Sequence, residues 1–388
     1  MRTEQAITDE HLRDLLDAGE NGGPLVSMIL PMERGGPEVR KNAVMFKNAL
    51  RKSRSLLEQS GCEEAKIKAI LEPVEGLVDD NAFWQHQEKS LALYLRPGAY
   101  SPFVLSHSFR EQVSVGPRFY LTPVLHAAQR QHAAYVLMLS QKHVGMLVLK
   151  QGRLEPVKVD GLPANMDEAL QLEMEQTLQQ HPVSGRTEGG PIMGIHGHGV
   201  GTETRLGHLQ DFLHRVENPV TRFMEGRGVP LYLATVEENE ALYRKINKYS
   251  NLAEHGLHGN FDRQSPQELF DSLVTQLEED LEKSLAARCQ EIGNAVAEGN
   301  GTADLDKAIE AVWDGRVHAC CVALGASPKT GQWDPERRKV SHDPEPDPRH
   351  IDLVDFVAAQ AWDKGGDVRF VAPELMPQSA EVAVSLRY

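Results

Sequence analysis

Residues 184–202 read SGRTEGGPIMGIHGHGVGT, and seven of the positions from 185 to 201 are glycine. Helical spacing of apolar residues precedes this stretch at 165–180 and follows it at 203–225. Long loops in compact domains are usually functional or disordered, and glycine lets backbone approach a ligand closely. We call residues 185–201 the glycine arm. The pattern predicts that this arm lies at a helix N-terminus, where anions such as RNA phosphate bind well.

Length and composition are those of a globular protein with more than one domain. The chain has 388 residues, enough for two or three domains with cores of their own. Its polar start, MRTEQAITDEHLRDLL, is not a signal peptide, and no apolar run approaches the ~18 residues of a membrane span. Four cysteines, Cys62, Cys289, Cys320 and Cys321, show no CxxC spacing. These features predict a cytoplasmic protein without a membrane partner.

Cys320 and Cys321 lie close to His318 in the same predicted strand, and these three residue types can all bind a metal ion. Adjacent residues of a strand point to opposite faces of its sheet, so two neighbouring cysteines cannot chelate one ion well. The sequence therefore predicts buried, inert thiols rather than a metal site.

Charge is unevenly distributed along the chain. The formal net charge is −15, which argues against broad nucleic-acid binding and against DNA as a partner. Residues 34–54 nevertheless contain seven basic residues and one acidic residue, a local charge of +6. This segment predicts RNA contacts by a basic helix, with these candidate residues: Arg40, Lys41, Lys47, Arg51 and Arg54. A solvated helix face without a ligand is the alternative.

Hydrophobic periodicity divides the chain into three α/β regions. Residues 1–112 predict a small N-terminal α/β domain with a strand at 25–30 and a helix at 39–59. Residues 113–262 predict three successive strands, the glycine arm between two helices, and a further strand, which together favour a mixed sheet. Residues 263–388 predict an α/β/α sandwich that begins with a long helix. A proline-rich acidic loop is predicted at 327–349, with Trp333 exposed for a partner.

Several segments, taken in order, resemble one protein family: the bacterial branch of the archaeal and eukaryotic peptide-chain release factor and Pelota superfamily. They are LVSMILPMERGGPEVRKNAVMFKNALRKS, FWQHQEKSLALYLRPG, VGPRFYLTPVL, AYVLMLSQKHVGMLV, GHGVGTETRLGHLQDFLHRVENPV, AVWDGRVHACCVAL, GGDVRFVAPELMP and the final LRY. The resemblance covers nearly the whole chain. It implies three domains: a decoding-side N-terminal domain, an RNase H-like middle domain and a C-terminal domain that docks other factors.

One departure from the family is as informative as the match. The glycine arm occupies the place of the arm that carries Gly-Gly-Gln in true release factors, but this chain has no Gly-Gly-Gln and Gly189-Gly190 is followed by Pro191. The resemblance therefore implies a rescue or dormancy factor that binds rRNA in the ribosomal A site without the usual peptide release. A translational GTPase is a second candidate partner, and no cofactor is expected.

The arm and the start of the next helix supply further candidate RNA-binding residues. These are His196, Gly197, His198, Gly199, Gly201 and Arg205. Histidine stacks on or hydrogen-bonds to unpaired bases, and Arg205 is placed to hold a phosphate beside the arm. A structural zinc site draws four ligands and a catalytic one three, so His-x-His alone predicts no metal site.

Two other functions stay open at this stage. The first is a peptidyl-tRNA or RNA hydrolase in which His196 or His198 acts as an acid–base group, since histidine titrates near neutral pH. Metal-dependent RNA cleavage needs clustered carboxylates, and the candidates Asp160, Asp167, Glu168 and Glu188 do not predict an inward cluster. The second is an acidic protein-binding adaptor. A binding factor is the preferred prediction, and enzymatic activity is left undecided.

Overall fold

The computed structural model describes residues 7–21, 23–34, 37–131, 133–150, 153–171, 201–259, 261 and 265–388. The chain forms two compact units. Unit 1 comprises residues 1–131 and 280–388, and unit 2 comprises residues 132–279. The three domain ranges derived from the sequence stay a prediction.

The first part of unit 1 is a four-stranded antiparallel sheet in the order β3-β2-β1-β4. Its strands are β1 (Leu25–Pro31), β2 (Ser90–Arg96), β3 (Ala99–Leu105) and β4 (Gln112–Gly116). The accompanying helices are α1 (Asp9–Asp17), α2 (Arg40–Gln59), α3 (Glu64–Glu75), α4 (Asn81–Gln85) and α5 (Thr122–Gln129). Successive residues of β1 point to opposite faces. Val26 and Met28 pack in the core that contains residues of α2 and α3, while Leu25 and Ile29 face a second core.

Unit 2 is a five-stranded mixed sheet in the order β7-β6-β5-β8-β9. Its strands are β5 (Ala134–Leu139), β6 (Val144–Lys150), β7 (Arg153–Val157), β8 (Leu231–Thr235) and β9 (Leu257–His258). Only β6 runs opposite to the others, because it pairs antiparallel with both β5 and β7 while β5, β8 and β9 pair in parallel. This order and direction are those of an RNase H-like sheet, which agrees with the predicted fold class.

Helices cover both faces of this sheet. They are α6, described over 166–171, α7 (Gly201–Met224), α8 (Glu237–Ile246) and α9 (Pro266–Ala297). Every residue of β8 is buried. Leu233 packs in the core that holds Phe212 of α7, and Tyr232 packs in the core that holds Leu273 of α9. Burial on two faces explains why this strand is apolar throughout rather than alternating.

The last part of unit 1 is a sheet in the order β10-β16-β11-β15, with a small antiparallel sheet β13-β12-β14. The strands are β10 (Gly301–Thr302), β11 (Val317–Ala323), β12 (Thr330–Asp334), β13 (Lys339–His342), β14 (Ile351–Asp352), β15 (Asp367–Val371) and β16 (Val382–Leu386); the helices are α10 (Leu305–Trp313) and α11 (Leu353–Asp363). One face of β11 packs with Val357 of α11 and the other with Ile292 of α9. The predicted α/β/α sandwich is therefore correct.

Two local expectations in this part are wrong. The segment predicted as a loop contains the paired strands β12 and β13, because its prolines lie in the turn and outside the ladder, where they block no hydrogen bond. Trp333, predicted to be exposed, is half-buried. Its ring packs edge to face against the ring of Trp313, with the two ring centroids 6.1 Å apart. Trp313 is the more exposed of the two, at 37%.

A buried carboxylate joins the two parts of unit 1. Asp355 of α11 is 5% exposed. Its Oδ1 accepts hydrogen bonds from the backbone N–H of Leu121 at 2.8 Å, the N–H of Thr122 at 2.5 Å and the hydroxyl of Thr122 at 2.8 Å. Leu121 is the N-cap of α5 and gives it no side-chain hydrogen bond. Asp355 therefore supplies the cap that α5 lacks in its own segment.

A second buried carboxylate organises unit 2. Oε1 of Glu240, on α8, accepts hydrogen bonds from Arg244 Nε at 2.7 Å and from the N–H of Gly256 at 3.1 Å, and Oε2 contacts Nε2 of His258. A Cβ at Gly256 would lie 2.7 Å from Oε2, so a larger residue there would displace the carboxylate. Burial raises the pKa of Glu240, but the hydrogen bonds from Arg244 and His258 outweigh burial and lower it.

Glu240→Gln is expected to destabilise unit 2 by about 2 kcal/mol at neutral pH, because charge-assisted hydrogen bonds are lost. A lowered folded-state pKa contributes stability above the unfolded pKa of about 4.5 and loses it as pH falls further. The difference between the two proteins should therefore shrink below that pH. Urea unfolding followed by far-UV circular dichroism measures it, with exposed Glu237→Gln on the same helix as the control. An equal loss in both variants would contradict the assignment.

Among the residues that the structure describes, no helix combines the length and the apolar character needed to cross a membrane.

Candidate nucleic-acid interface

Helix α2 is held on unit 1 by one apolar face and one polar anchor. Phe46, Ala49 and Leu57 are fully buried against the sheet. At the start of the helix Asn42 is buried, its Oδ1 accepts from the N–H of Glu33 at 2.9 Å, and its Nδ2 donates to the Glu33 carbonyl at 3.0 Å. These contacts fix the rotation of α2 about its axis, and so decide which side chains face outward.

The outward face carries a stripe of cations with an apolar residue inside it. Arg40, Val44, Lys47 and Arg51 are four, three and four positions apart, which places them on one face of a helix. All four are exposed, and Val44 is 61% exposed. We call these four residues the α2 basic face. Among the described residues, none of its three cations forms an ion pair; Arg51 donates to Oδ1 of Asn48 at 3.1 Å.

Three of the other four cations of residues 34–54 are already paired with carboxylates. Lys41 pairs with Glu38, and Arg54 Nη1 lies 2.8 Å from Oε1 of Glu64. The hydrogen bond that Arg54 donates to Glu64 raises the pKa of Arg54. Arg34 pairs with Glu88 at 2.5 Å. The fourth, Lys52, is exposed on α2. The local charge of +6 counted along the sequence is therefore partly neutralised in space, and among the described residues the cations of this segment without an ion pair all lie on α2.

The predicted arm contacts can be placed only in part. His196, Gly197, His198 and Gly199 lie outside the described residues. Gly201 is the first residue of α7, and Arg205 lies in the same helix. Whether the arm touches RNA stays a prediction.

The carboxylates of the middle region that the structure describes do not gather into a catalytic centre. Asp160 and Asp167 are exposed, and Oε2 of Glu168 accepts a hydrogen bond from the N–H of Ala164 at 2.8 Å, a local structural contact. Glu188 lies outside the described residues. Over the described part of the chain, no three His, Cys, Asp or Glu side chains are placed to hold a metal ion.

Cys320 and Cys321 lie in the cores, as the sequence predicts, whereas Cys62 is half-buried. Cys320 and Cys321 are fully buried and face different cores, because they are neighbours on β11. Burial raises the pKa of the Cys320 thiol, so it is a poor nucleophile. One contact was not predicted: Sγ of Cys289, on α9, lies 2.6 Å from Sγ of Cys321. The two residues are 32 positions apart, and no local pattern relates them.

Sequence reasoning missed Val44, which lies within the α2 basic face, and Asp355, which caps α5. Val44 could have been found, because it has helical spacing with Arg40, Lys47 and Arg51. Asp355 could not, since it is a single polar residue whose surroundings come from distant segments.

Residues 135–316 match the model of Bacterial archaeo-eukaryotic release factor family 3. The match spans nearly half of the chain and confirms the predicted relationship to the bacterial branch. No curated protein sequence is a significant match.

Solved structures of an archaeal release factor and of archaeal Pelota are similar to this chain over long stretches at low identity. The archaeal translation termination factor aRF1 is 14% identical, with 98% of this chain and 99% of that chain covered and a TM-score of 0.22. Archaeal Pelota, in a structure described as ribosome-bound Pelota and ABCE1, is 12% identical, with 100% and 95% covered and a TM-score of 0.42. Archaeoglobus fulgidus Pelota is 15% identical, with 77% and 79% covered and a TM-score of 0.30. At these TM-scores the likenesses say nothing about how this chain works.

Proposed function

We propose that this protein is a ribosome-binding translation factor of the rescue or dormancy type, which occupies the A site through contacts with rRNA. The α2 basic face is the observation that supports it most. Three exposed cations that have no carboxylate partner within the described part of the chain form a stripe on a protein whose net charge is −15. Such a stripe suits a local contact with phosphates rather than general binding to nucleic acid.

Two further features fit this function. The match of residues 135–316 to a release factor family supports a role in translation. The absence of Gly-Gly-Gln from the whole sequence fits a factor that binds without hydrolysing peptidyl-tRNA by the usual route. A translational GTPase partner belongs to the same proposal. No described contact favours a hydrolase or a protein-only adaptor, so these serve as alternative outcomes of the test.

Sedimentation with 70S ribosomes through a sucrose cushion tests the proposal. We expect co-sedimentation at about 50 mM salt that weakens steeply towards about 200 mM, as counterion release requires. Filling the A site with tRNA beforehand should prevent binding, and the protein should release no peptide from a peptidyl-tRNA complex. No binding at low salt would reject the ribosome proposal. If the wild-type protein released peptide and His196→Ala or His198→Ala abolished that release, the hydrolase would be favoured instead.

A further inference from the structure

Unit 2 contains a cavity at the carboxyl ends of its three parallel strands. Strands β5, β8 and β9 end at Leu139, Thr235 and His258, and the chain then turns into the hairpin 140–143, the start of α8 and Gly259. The cavity has a volume of about 400 Å³, and all its walls belong to unit 2. Ligands of α/β sheets bind preferentially at this edge, and pockets of a few hundred Å³ hold small molecules.

Helix α8 begins at the wall of this cavity. Its N-cap, Val236, makes no side-chain capping hydrogen bond, and the first backbone bond of the helix runs from the N–H of Glu240 to the Val236 carbonyl. The N–H groups of residues 237–239 therefore have no partner within the helix. Together with the helix dipole, such groups favour an anion.

Asn239 provides a second, independent observation. Its side chain lines the cavity and is only 5% exposed. Among the described residues, its amide makes no hydrogen bond with any other side chain or backbone group. Asn239 therefore presents a donor and an acceptor to whatever fills the cavity.

The charged and aromatic residues around the opening decide the class of ligand. Lys142, in the hairpin after β5, supplies a cation, and Phe261 supplies an aromatic wall. Three carboxylates in the first turn of α8 oppose an anion: Glu237, Glu238 and Glu240. Glu238 lines the cavity but, like Glu237, is exposed to solvent, which screens it, and Glu240 is paired with Arg244 and His258. A helix N-terminus, a buried amide, one cation and an aromatic surface together match the phosphate and the base of a nucleotide.

We propose that this cavity binds a nucleotide, with its phosphate at the N-terminus of α8 beside Asn239 and Lys142 and its base against Phe261. The site lies within unit 2 and does not depend on the α2 basic face or on ribosome binding. Its ligand is either a free nucleotide or the 5′-phosphate end of an RNA, which offer the same phosphate.

Calorimetric titration of the full chain with AMP tests the proposal. Wild-type protein should bind AMP with a Kd below about 1 mM, and adenosine should bind at least about tenfold more weakly because it lacks the phosphate. A 5′-phosphorylated RNA trinucleotide, titrated in parallel, identifies the source by binding more tightly or more weakly than AMP.

Variants at the two ends of β6 provide the matched comparison. Lys142→Glu, beside the cavity, should weaken AMP binding at least about tenfold, whereas Lys150→Glu, an exposed lysine at the other end, should leave it unchanged. Asn239→Leu should weaken AMP binding by a similar factor. Because Asn239 is buried, circular dichroism must first show that unit 2 of this variant is folded. If unit 2 is unfolded, the comparison of Lys142→Glu with Lys150→Glu decides the matter. Absence of AMP binding by the wild type, equal binding of adenosine, or a Lys142→Glu protein that binds like wild type would overturn the proposal.

Discussion

Asp355→Ala is expected to lower the free energy of unfolding of unit 1 by about 2–4 kcal/mol, the largest effect predicted for a single substitution. The change removes the acceptor of three hydrogen bonds, from the N–H of Leu121, the N–H of Thr122 and the Thr122 hydroxyl. Donors left unpaired in a buried place each cost about 1–3 kcal/mol. The alanine variant no longer buries a carboxyl group, and this gain offsets part of the loss. The net effect is therefore smaller than the summed cost of the three unpaired donors.

Titration of the same carboxyl group gives the effect a pH dependence. Burial raises the pKa of Asp355 to about 7 and the neighbouring charge of Asp352 adds to the rise, while hydrogen bonds from Thr122 and Leu121 oppose it. A raised folded-state pKa means that the native state binds the proton more tightly than the unfolded chain does. Wild-type stability should therefore fall as pH rises from about 4 towards about 7.

Asp355→Asn separates hydrogen bonding from charge. Asparagine keeps an acceptor oxygen for the three donors, so its loss of stability should be smaller than that of Asp355→Ala. Its fall in stability between about pH 4 and about pH 7 should also be shallower than that of the wild type. Some dependence should remain, because burial raises the pKa of Asp352 to about 6.

Tryptophan fluorescence during urea unfolding measures these effects selectively. All four tryptophans, Trp84, Trp313, Trp333 and Trp362, lie in unit 1. Asp363→Ala, an exposed position on the same helix, is the matched control and should change stability by no more than about 0.5 kcal/mol. If Asp355→Ala unfolds like the control, the proposed cap contributes nothing to stability.

The double variant Lys47→Glu/Arg51→Glu is expected to weaken 70S ribosome binding by about 10- to 100-fold at low salt. Both cations are exposed and free of carboxylates among the described residues, so reversing them replaces phosphate attraction with repulsion. If each contacts one phosphate, the slope of log affinity against log salt should become shallower by about two. Sedimentation over a salt series measures both quantities.

Lys66→Glu/Lys68→Glu is the matched control for this experiment. These lysines are exposed on α3, lie in the same unit and change the net charge by the same amount. Ribosome binding by the control should stay close to that of the wild type. Equal weakening by both double variants would show that total charge matters and that the α2 basic face is not a specific interface.

Much of the secondary structure could be predicted from local spacing. The helix expected at 39–59 is α2 with its short entry turn, and the apolar strands of the middle region form the mixed sheet. Spacing could not show which cations of residues 34–54 are free. Glu64 and Glu88, which pair with Arg54 and Arg34, lie outside residues 34–54. The net charge counted over that segment therefore does not include them.

The sequence by itself determined much of the order of helices and strands, the opposite orientation of Cys320 and Cys321, the basic segment and the absence of Gly-Gly-Gln. These properties follow from periods of 3.6 and 2 residues along one stretch of chain, or from residue identity alone. Only the tertiary structure decided that Asp355 caps a helix that begins more than 200 positions earlier, that Lys47 and Arg51 form no ion pair with any described residue, and that Asn239 faces a cavity. Desolvation and charge pairing depend on groups that distant segments bring together, so no local pattern encodes them.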